Sequence, residues 1–432
     1  MALASAASAD AANADQGVNA PDLQFFVFAL FFTFGGITSL NDVIIPKLKD
    51  LFTLNYGQAL LVQSAFFAAY FIFSIPAAAL VGRFGYLRTA AFGLVAMTLG
   101  CLLFVPASAS GMFAVFLVAL FVLAAGITTV QVVANPLISL LGPPRTAHSR
   151  LTFAQAFNSI GTTIFPIVGS ILILGSLAKV DPATLSGAEL AAYRTAETQT
   201  VVYTYLGLAA ALLVVALVVW SRRRRLTDKV AAGDPLGLLK LFAPGALLRT
   251  RPRFAFGAAC IFLYVGAEVA IGSLIVNYLE QASVMALDPV RAGQHVGYYW
   301  GGAMVGRLVG AGVLRLVSPG KVLAGVAAGA ITLILVSANG VGAVSGWALL
   351  AIGLMNAVMF PTIFSLASEG LGTRAAEGSG IIATAIVGGA VVPPLTGMLA
   401  DAVGLKAALV LPALCYAVIA LYGIYARRPV TA

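Results

Sequence analysis

The chain has 432 residues, of which 60% are hydrophobic and only 9% charged, with a formal net charge of +9. Soluble globular domains average about 45–50% apolar and 25% charged residues, so this composition excludes a soluble fold. The positive charge does not indicate nucleic acid, because the basic residues fall in short connections between long apolar runs. Those runs far exceed the ~9–11 residues of a barrel strand and do not alternate, so the chain reads as an all-α integral membrane protein.

Residues 1–21 are rich in Ala, Ser and Asp and contain no Lys or Arg. They lack the basic region of a cleavable signal and read as a disordered cytoplasmic tail. Runs of about twenty apolar residues then mark twelve spans, at 22–45, 57–80, 86–107, 111–134, 150–176, 199–220, 253–279, 292–314, 320–338, 343–367, 377–400 and 405–426. Nineteen of the 25 basic residues lie in one class of connections, which includes Arg83, Arg145, Arg222 to Arg225, Arg307, Arg315, Arg374 and Arg427. By the positive-inside rule that side is cytoplasmic, with both termini on it. Cys101, Cys260 and Cys415 sit singly in apolar runs and read as packing residues.

The stretch 221–252 divides the chain into halves 22–220 and 253–426, with a short tail at 427–432. The halves resemble each other: Pro136-Leu137-Ile138-Ser139-Leu140 in span 4 answers Pro361-Thr362-Ile363-Phe364-Ser365-Leu366 in span 10. Phe165-Pro166-Ile167-Val168-Gly169 in span 5 answers Val392-Pro393-Pro394-Leu395-Thr396-Gly397 in span 11. Six spans repeated in the same orientation are the arrangement of major facilitator transporters, whose substrate site lies at mid-membrane between the halves.

Polar residues recur at helical spacing inside these spans. Span 1 carries Thr38, Ser39, Asn41 and Asp42, four residues before Pro46. A carboxylate at the bilayer centre costs roughly 2.5–3.5 kcal/mol on insertion scales, so it marks function unless Asp42 lies at the water boundary. Span 4 carries Thr128, Gln131 and Asn135, and span 5 carries Gln155, Asn158, Ser159 and Thr162. Amides offer both donors and acceptors, which suits a neutral polyhydroxylated ligand, although they also join helices to one another. The second half adds Tyr264, Glu268, Ser273 and Asn277 in span 7, Tyr298, Tyr299 and Trp300 in span 8, and Asn356 in span 10. Span 7 repeats span 1, which places Glu268 within about one turn of the position equivalent to Asp42. No nucleophile–base pair, metal cluster or phosphate loop appears at membrane depth, so the chain does not read as an enzyme, and no cofactor is implied.

Several blocks together resemble the fucose–galactose–glucose:proton symporter family of the major facilitators. They are Asn41-Asp42 with Pro46, Gln63-Ser64-Ala65-Phe66, Ala134-Asn135-Pro136, Leu141-Gly142-Pro143, Arg150-Leu151 with Ala154-Gln155 and Phe157-Asn158-Ser159, Pro361 to Leu366, and Gly388-Gly389. In that family the fucose permeases carry a functional Asp where Asp42 stands and a functional Glu where Gln131 stands. Gln131 and Gly266-Ala267-Glu268 resemble the glucose/galactose branch instead, and the family's amide ligands in span 5 map onto Gln155 and Asn158.

The resemblance implies cation-coupled uptake of a hexose such as glucose or galactose by alternating access. Asp42 and Glu268 would be the coupling acids, and Thr38, Ser39, Asn41, Gln131, Asn135, Gln155, Asn158, Tyr264, Trp300 and Asn356 the sugar ligands. The cation is a proton, with sodium at Asp42 as the alternative. N-acetylglucosamine or fucose are the alternative sugars, and an exporter or drug antiporter of the same fold is a further one. The expected partners are the sugar, the cation and the lipid of an inner membrane, with the chain acting as a monomer and binding no nucleic acid.

Overall fold

The structure, a computed structural model, describes residues 21–141, 147–174, 185–223, 245–369, 371 and 375–427. The tail expected at 1–21 lies almost entirely outside this set, as does most of the central loop expected at 221–252. Among the described residues the structure is helical and contains no strand.

Among the described residues the helices group into twelve spans. The first half comprises Pro21–Ser39 continued by Asn41–Phe52; Tyr56–Ala59 with Leu61–Phe84; Tyr86–Leu102 with Phe104–Ser110; Phe113–Leu140; Ala147–Gly169; and Gly187–Ser221. The second comprises Pro252–Glu280; Pro289–Leu316; Pro319–Asn339; Gly342–Asn356 with Met359–Ser368; Ala375–Ala385 with Gly388–Val403; and Leu405–Ala408 with Val410–Tyr425. Eleven are long and apolar enough to cross a bilayer by composition alone. The twelfth, span 8, is 28 residues long but carries Arg291, Arg307 and Arg315.

Local sequence sets the span ends. Asn55 and Gln58 form a reciprocal capping box at the start of span 2, satisfying two otherwise unpaired N–H groups. Asp288 accepts from the backbone of Arg291 ahead of Pro289 at the start of span 8. Pro166 lacks an N–H, and four residues after it span 5 relaxes into a π turn over Ser170–Leu174.

Span 1 departs from expectation. It breaks at Leu40, resumes at once and continues through Pro46 to Phe52, ten residues beyond Asp42. At 1.5 Å per residue this is about 15 Å of helix beyond Asp42, whose side chain is buried. The extension is possible because Lys47, expected in a connection, is fully buried and donates to Glu197 of span 6 at 2.6 Å. Arg307 also differs: expected at or near the connection after span 8, it lies inside that helix, nine residues before Leu316.

Within each half, glycines let helices touch backbone to backbone. A Cβ at Gly161 in span 5 would overlap the carbonyl of Phe32 in span 1; the equivalent contact in the second half has Gly388 of span 11 against the carbonyl of Phe262 in span 7. Small residues at such crossings are how helices associate closely where lipid offers no hydrophobic drive.

Between the halves, contacts concentrate toward the end opposite the arginine-rich connections. Gly293 and Gly297 of span 8 pack on Ser170 and Ile167 of span 5. Asp401 at the end of span 11 accepts from the backbone N–H groups of Tyr56 and Gly57 at the start of span 2, at 2.7 and 2.8 Å. Nearer the middle, Ser64 of span 2 donates to the carbonyl of Ala390 in span 11 at 2.7 Å.

Candidate functional site

Below that contact layer lies a cavity of about 220 Å³, lined from both halves. Spans 1, 2, 4 and 5 supply Gly35, Thr38, Ser39, Asp42, Gln63, Phe67, Gln131, Asn158 and Thr162; spans 7 and 8 supply Val265, Glu268, Val269 and Trp300. Sites for drug-sized ligands span about 300–1,000 Å³, so this cavity suits a small molecule. A larger void of about 540 Å³ lies among spans 1, 5 and 6, but its lining of Leu40, Ile164, Phe165, Val168 and Leu172 is apolar and faces outward.

Asp42 is 3% exposed, and its carboxylate ties the halves together. Oδ1 accepts from Gln63 Nε2 at 3.3 Å and from Ser273 Oγ at 3.1 Å, while Oδ2 accepts from Trp300 Nε1 at 3.0 Å. Gln63 also donates to Ser273 at 2.8 Å. The break at Leu40 sits two residues before Asp42, where it sets the direction of the second helical segment. One donor from its own half and two from the other meet at this carboxyl group, which makes it a polar fastener of the closed end.

Glu268 is half-buried and faces the same cavity. Its Oε1 accepts from Tyr264 at 2.7 Å, and its backbone carbonyl accepts from Tyr299 at 3.0 Å. Tyr264 also donates to the carbonyl of Asn356, whose side chain donates to Tyr299 and accepts from Tyr416, both at 2.8 Å. Asn356 is therefore the hub of a buried network that orients the tyrosines behind Glu268. The two carboxylates lie within electrostatic reach of each other.

The remaining expected residues divide clearly. Thr38, Ser39, Gln131, Asn158 and Trp300 line the cavity; Gln131 donates to Tyr70 at 3.0 Å, and Asn158 to the carbonyl of Phe31 at 3.3 Å. Tyr264 and Asn356 stand behind the lining, and Gln155 is half-buried in span 5 outside it. Asn41 is 1% exposed, with neither side-chain atom hydrogen-bonded, and it does not reach the cavity. The side chain of Asn135 lies outside the described residues. Among the described residues no cluster of His, Cys, Asp and Glu could hold a metal ion.

The sequence reading named Gln63 in a family block, Ser273 beside Glu268 and Arg307 among the basic residues, but assigned none of them to the site. Gln63 and Ser273 join Asp42 across the halves, and only their positions one turn from other lining residues signalled it. Arg307 donates from Nη1 to Ser159 Oγ of span 5 at 2.7 Å. It lies seven residues after Trp300, hence two turns along the same helix face, a spacing that could have revealed it.

Residues 26–386 match the model of the Major Facilitator Superfamily. The chain is 46% identical over 401 residues to a glucose/galactose transporter of Brucella abortus biovar 1 (strain 9-941), with 92% of each chain covered. It is 33% identical over 410 residues to the L-fucose-proton symporter of Escherichia coli K12, covering 93% of this chain and 92% of that one. The crystal structure of the facilitator FucP in the outward conformation aligns with a TM-score of 0.66 and 32% identity, over 93% of this chain and 98% of that one. The chain belongs to the Major Facilitator Superfamily and, within it, to the fucose–galactose–glucose:proton symporter family.

Proposed function

We propose that this protein is a secondary active transporter that takes up a hexose, glucose or galactose, together with a proton. The observation that carries the reading is a small cavity between the two halves holding two carboxylates, Asp42 and Glu268, among the amides of Gln63, Gln131 and Asn158 and the ring of Trp300. Amides and carboxylates match sugar hydroxyls, and an indole covers an apolar sugar face. The names of the relatives at 46% and 33% identity support the same substrate class. Gln131, which lines this cavity, stands where the fucose permeases carry a functional Glu, and this supports the hexose branch over the fucose one.

Placing the arginine-rich connections in the cytoplasm puts both termini and the stretch 221–252 there, in an inner membrane, with 22–220 and 253–426 as the moving halves of a monomer. The contact layer of Asp401 and of Gly293 and Gly297 is then the periplasmic gate, closed in this conformation. Opening it parts Asp42 from Ser273 and Trp300 and exposes the carboxylate to the periplasm. A proton there removes the cost of carrying a buried charge, and each 100 mV of membrane potential contributes about 2.3 kcal/mol per charge moved.

The test is radiolabelled sugar uptake into proteoliposomes under a pH gradient alone or a sodium gradient alone. Accumulation of glucose or galactose driven by the pH gradient and abolished by a protonophore is expected. Accumulation driven only by sodium would replace the proton with sodium at Asp42, and uptake of neither sugar would overturn the substrate assignment.

A further inference from the structure

The polar side chains described in the cavity lining offer it oxygen atoms and few protons. Thr38, Ser39 and Thr162 each donate to a carbonyl of their own helix, those of Phe34, Gly36 and Ser159, at 2.7, 2.9 and 3.0 Å. Such back-bonding satisfies a hydroxyl proton on a helix and leaves the oxygen as an acceptor. The indole N–H of Trp300 is committed to Asp42 at 3.0 Å, and Gln63 Nε2 is committed to Asp42 and Ser273. Asn158 Nδ2 donates to the carbonyl of Phe31, an oxygen that only accepts, so its nitrogen turns to the protein. Asp42 and Glu268 add carboxylate oxygens to the same wall.

Gln131 completes this pattern through a residue outside the lining. Its Nε2 donates to the hydroxyl of Tyr70 in span 2 at 3.0 Å, and among the described residues its Oε1 has no partner. The same hydroxyl is hydrogen-bonded to Thr38. Thr38 has given its own proton to Phe34, so Tyr70 supplies the proton between them and keeps its oxygen free to accept from Gln131. Phe66 and Phe67 hold the Tyr70 ring, with ring centroids 5.6 and 5.8 Å away. Thr38, Tyr70 and Gln131 all belong to the first half, so their arrangement travels with it as a unit.

Building on the symporter reading, we propose that the site recognises its sugar as a hydrogen-bond donor, and that Tyr70 is the positioning residue that turns the Gln131 oxygen toward a sugar hydroxyl. A hydroxyl both donates and accepts, and in this cavity its proton is what finds a partner. A substituent that cannot donate leaves a lining oxygen unpaired in a buried site, and a site built to bond a hydroxyl rejects the analogue that lacks it. Without the Tyr70 hydroxyl, the Gln131 amide presents either end to the sugar, and discrimination is lost at that one position.

The test is competition against exchange of radiolabelled glucose or galactose in proteoliposomes, by hexoses in which each hydroxyl in turn is replaced by hydrogen or by fluorine, neither of which donates. Parent, Tyr70→Phe, Thr38→Val and Gln131→Ala are compared, and thermal unfolding confirms that each is folded. In the parent, both replacements at the hydroxyls that meet the lining weaken competition by about ten-fold. Gln131→Ala removes the penalty at one hydroxyl. Tyr70→Phe lowers it at that same hydroxyl to about three-fold or less and leaves the other positions unchanged. Thr38→Val, which leaves the Tyr70 proton to Gln131, is the second route to the same change. Fluorine tolerated as well as hydroxyl at every position in the parent overturns the proposal without any variant. So does Tyr70→Phe with the parent's profile, or with every analogue weakened alike as a purely structural role would give, or with its effect at a different hydroxyl from Gln131→Ala. Exchange of neither glucose nor galactose by the parent would instead overturn the symporter reading on which the proposal rests.

Discussion

Asp42 holds two roles at once, because the carboxylate that suits a proton also accepts from Ser273 and Trp300 across the interface of the halves. Asp42→Asn keeps the size and retains an acceptor, but removes both the charge and the titration. The variant is expected to exchange sugar across the membrane, measured by counterflow, while failing to accumulate it under a pH gradient; concentrative uptake like the parent's would exclude Asp42 from coupling. Lys47 is the other residue whose burial demands a partner, and Glu197 supplies it at 2.6 Å. Removing one member of a buried pair costs about 3–5 kcal/mol, whereas replacing both with apolar residues is often neutral. Lys47→Met should therefore lower the thermal unfolding temperature in detergent, and Lys47→Met with Glu197→Leu should recover most of the loss.

At the scale of elements, the two halves solve the same packing problem in the same way. Span 5 rests on span 1 through Gly161, and span 11 rests on span 7 through Gly388. Alanine is the better helix former by about 1 kcal/mol, so propensity alone predicts that Gly388→Ala stabilises. The carbonyl of Phe262 occupies the space a methyl group would need, and overpacking of this kind costs typically 1–3 kcal/mol. Gly388→Ala is thus expected to lower the unfolding temperature and the transport rate; Gly207, beside which nothing lies within 4 Å, is the control that should tolerate Ala. The broken spans follow the same division of labour. Span 10 interrupts its helix between Asn356 and Met359, next to the hub of the tyrosine network, while span 1 interrupts beside Asp42. Irregular backbone at membrane depth is tolerated where it is buried in protein or lines a cavity, and both breaks meet that condition.

For the whole molecule, alternating access requires a closed end that is held, but not held tightly. Asp401 meets this by accepting from two backbone N–H groups of the opposite half at an exposed position, where solvent competes for them. Asp401→Ala should shift the population toward the state open at this end by about 1 kcal/mol, a several-fold change. Spin labels on Gln58 and Val403, on either side of this contact, would report it as a larger share of long distances in pulsed dipolar spectroscopy. An unchanged distribution would show that the glycine contacts of span 8 close the gate without Asp401.

Hydrophobicity and chain length made the membrane class and the run of apolar spans legible, and the placement of Lys and Arg carries the proposed direction. Each of these is decided by transfer of local segments between water and lipid, a quantity summed over neighbours in sequence. The pairing of acids at Asp42 and Glu268 was legible too, because the repeat relates span 1 to span 7. Tertiary structure alone decided the rest. Pro46 and Lys47 read as the end of span 1, and Glu197, 150 residues away, is a partner that offsets the cost of burying the ammonium group. Arg307 read as a charge at or near the connection after span 8, since a hydropathy window does not register a partner such as Ser159 on span 5. The donors of Asp42 come from residues 21, 231 and 258 positions away, and no local pattern specifies which of many buried hydroxyls and amides will meet it. That choice is made by how two six-helix halves pack, and it changes each time they rock.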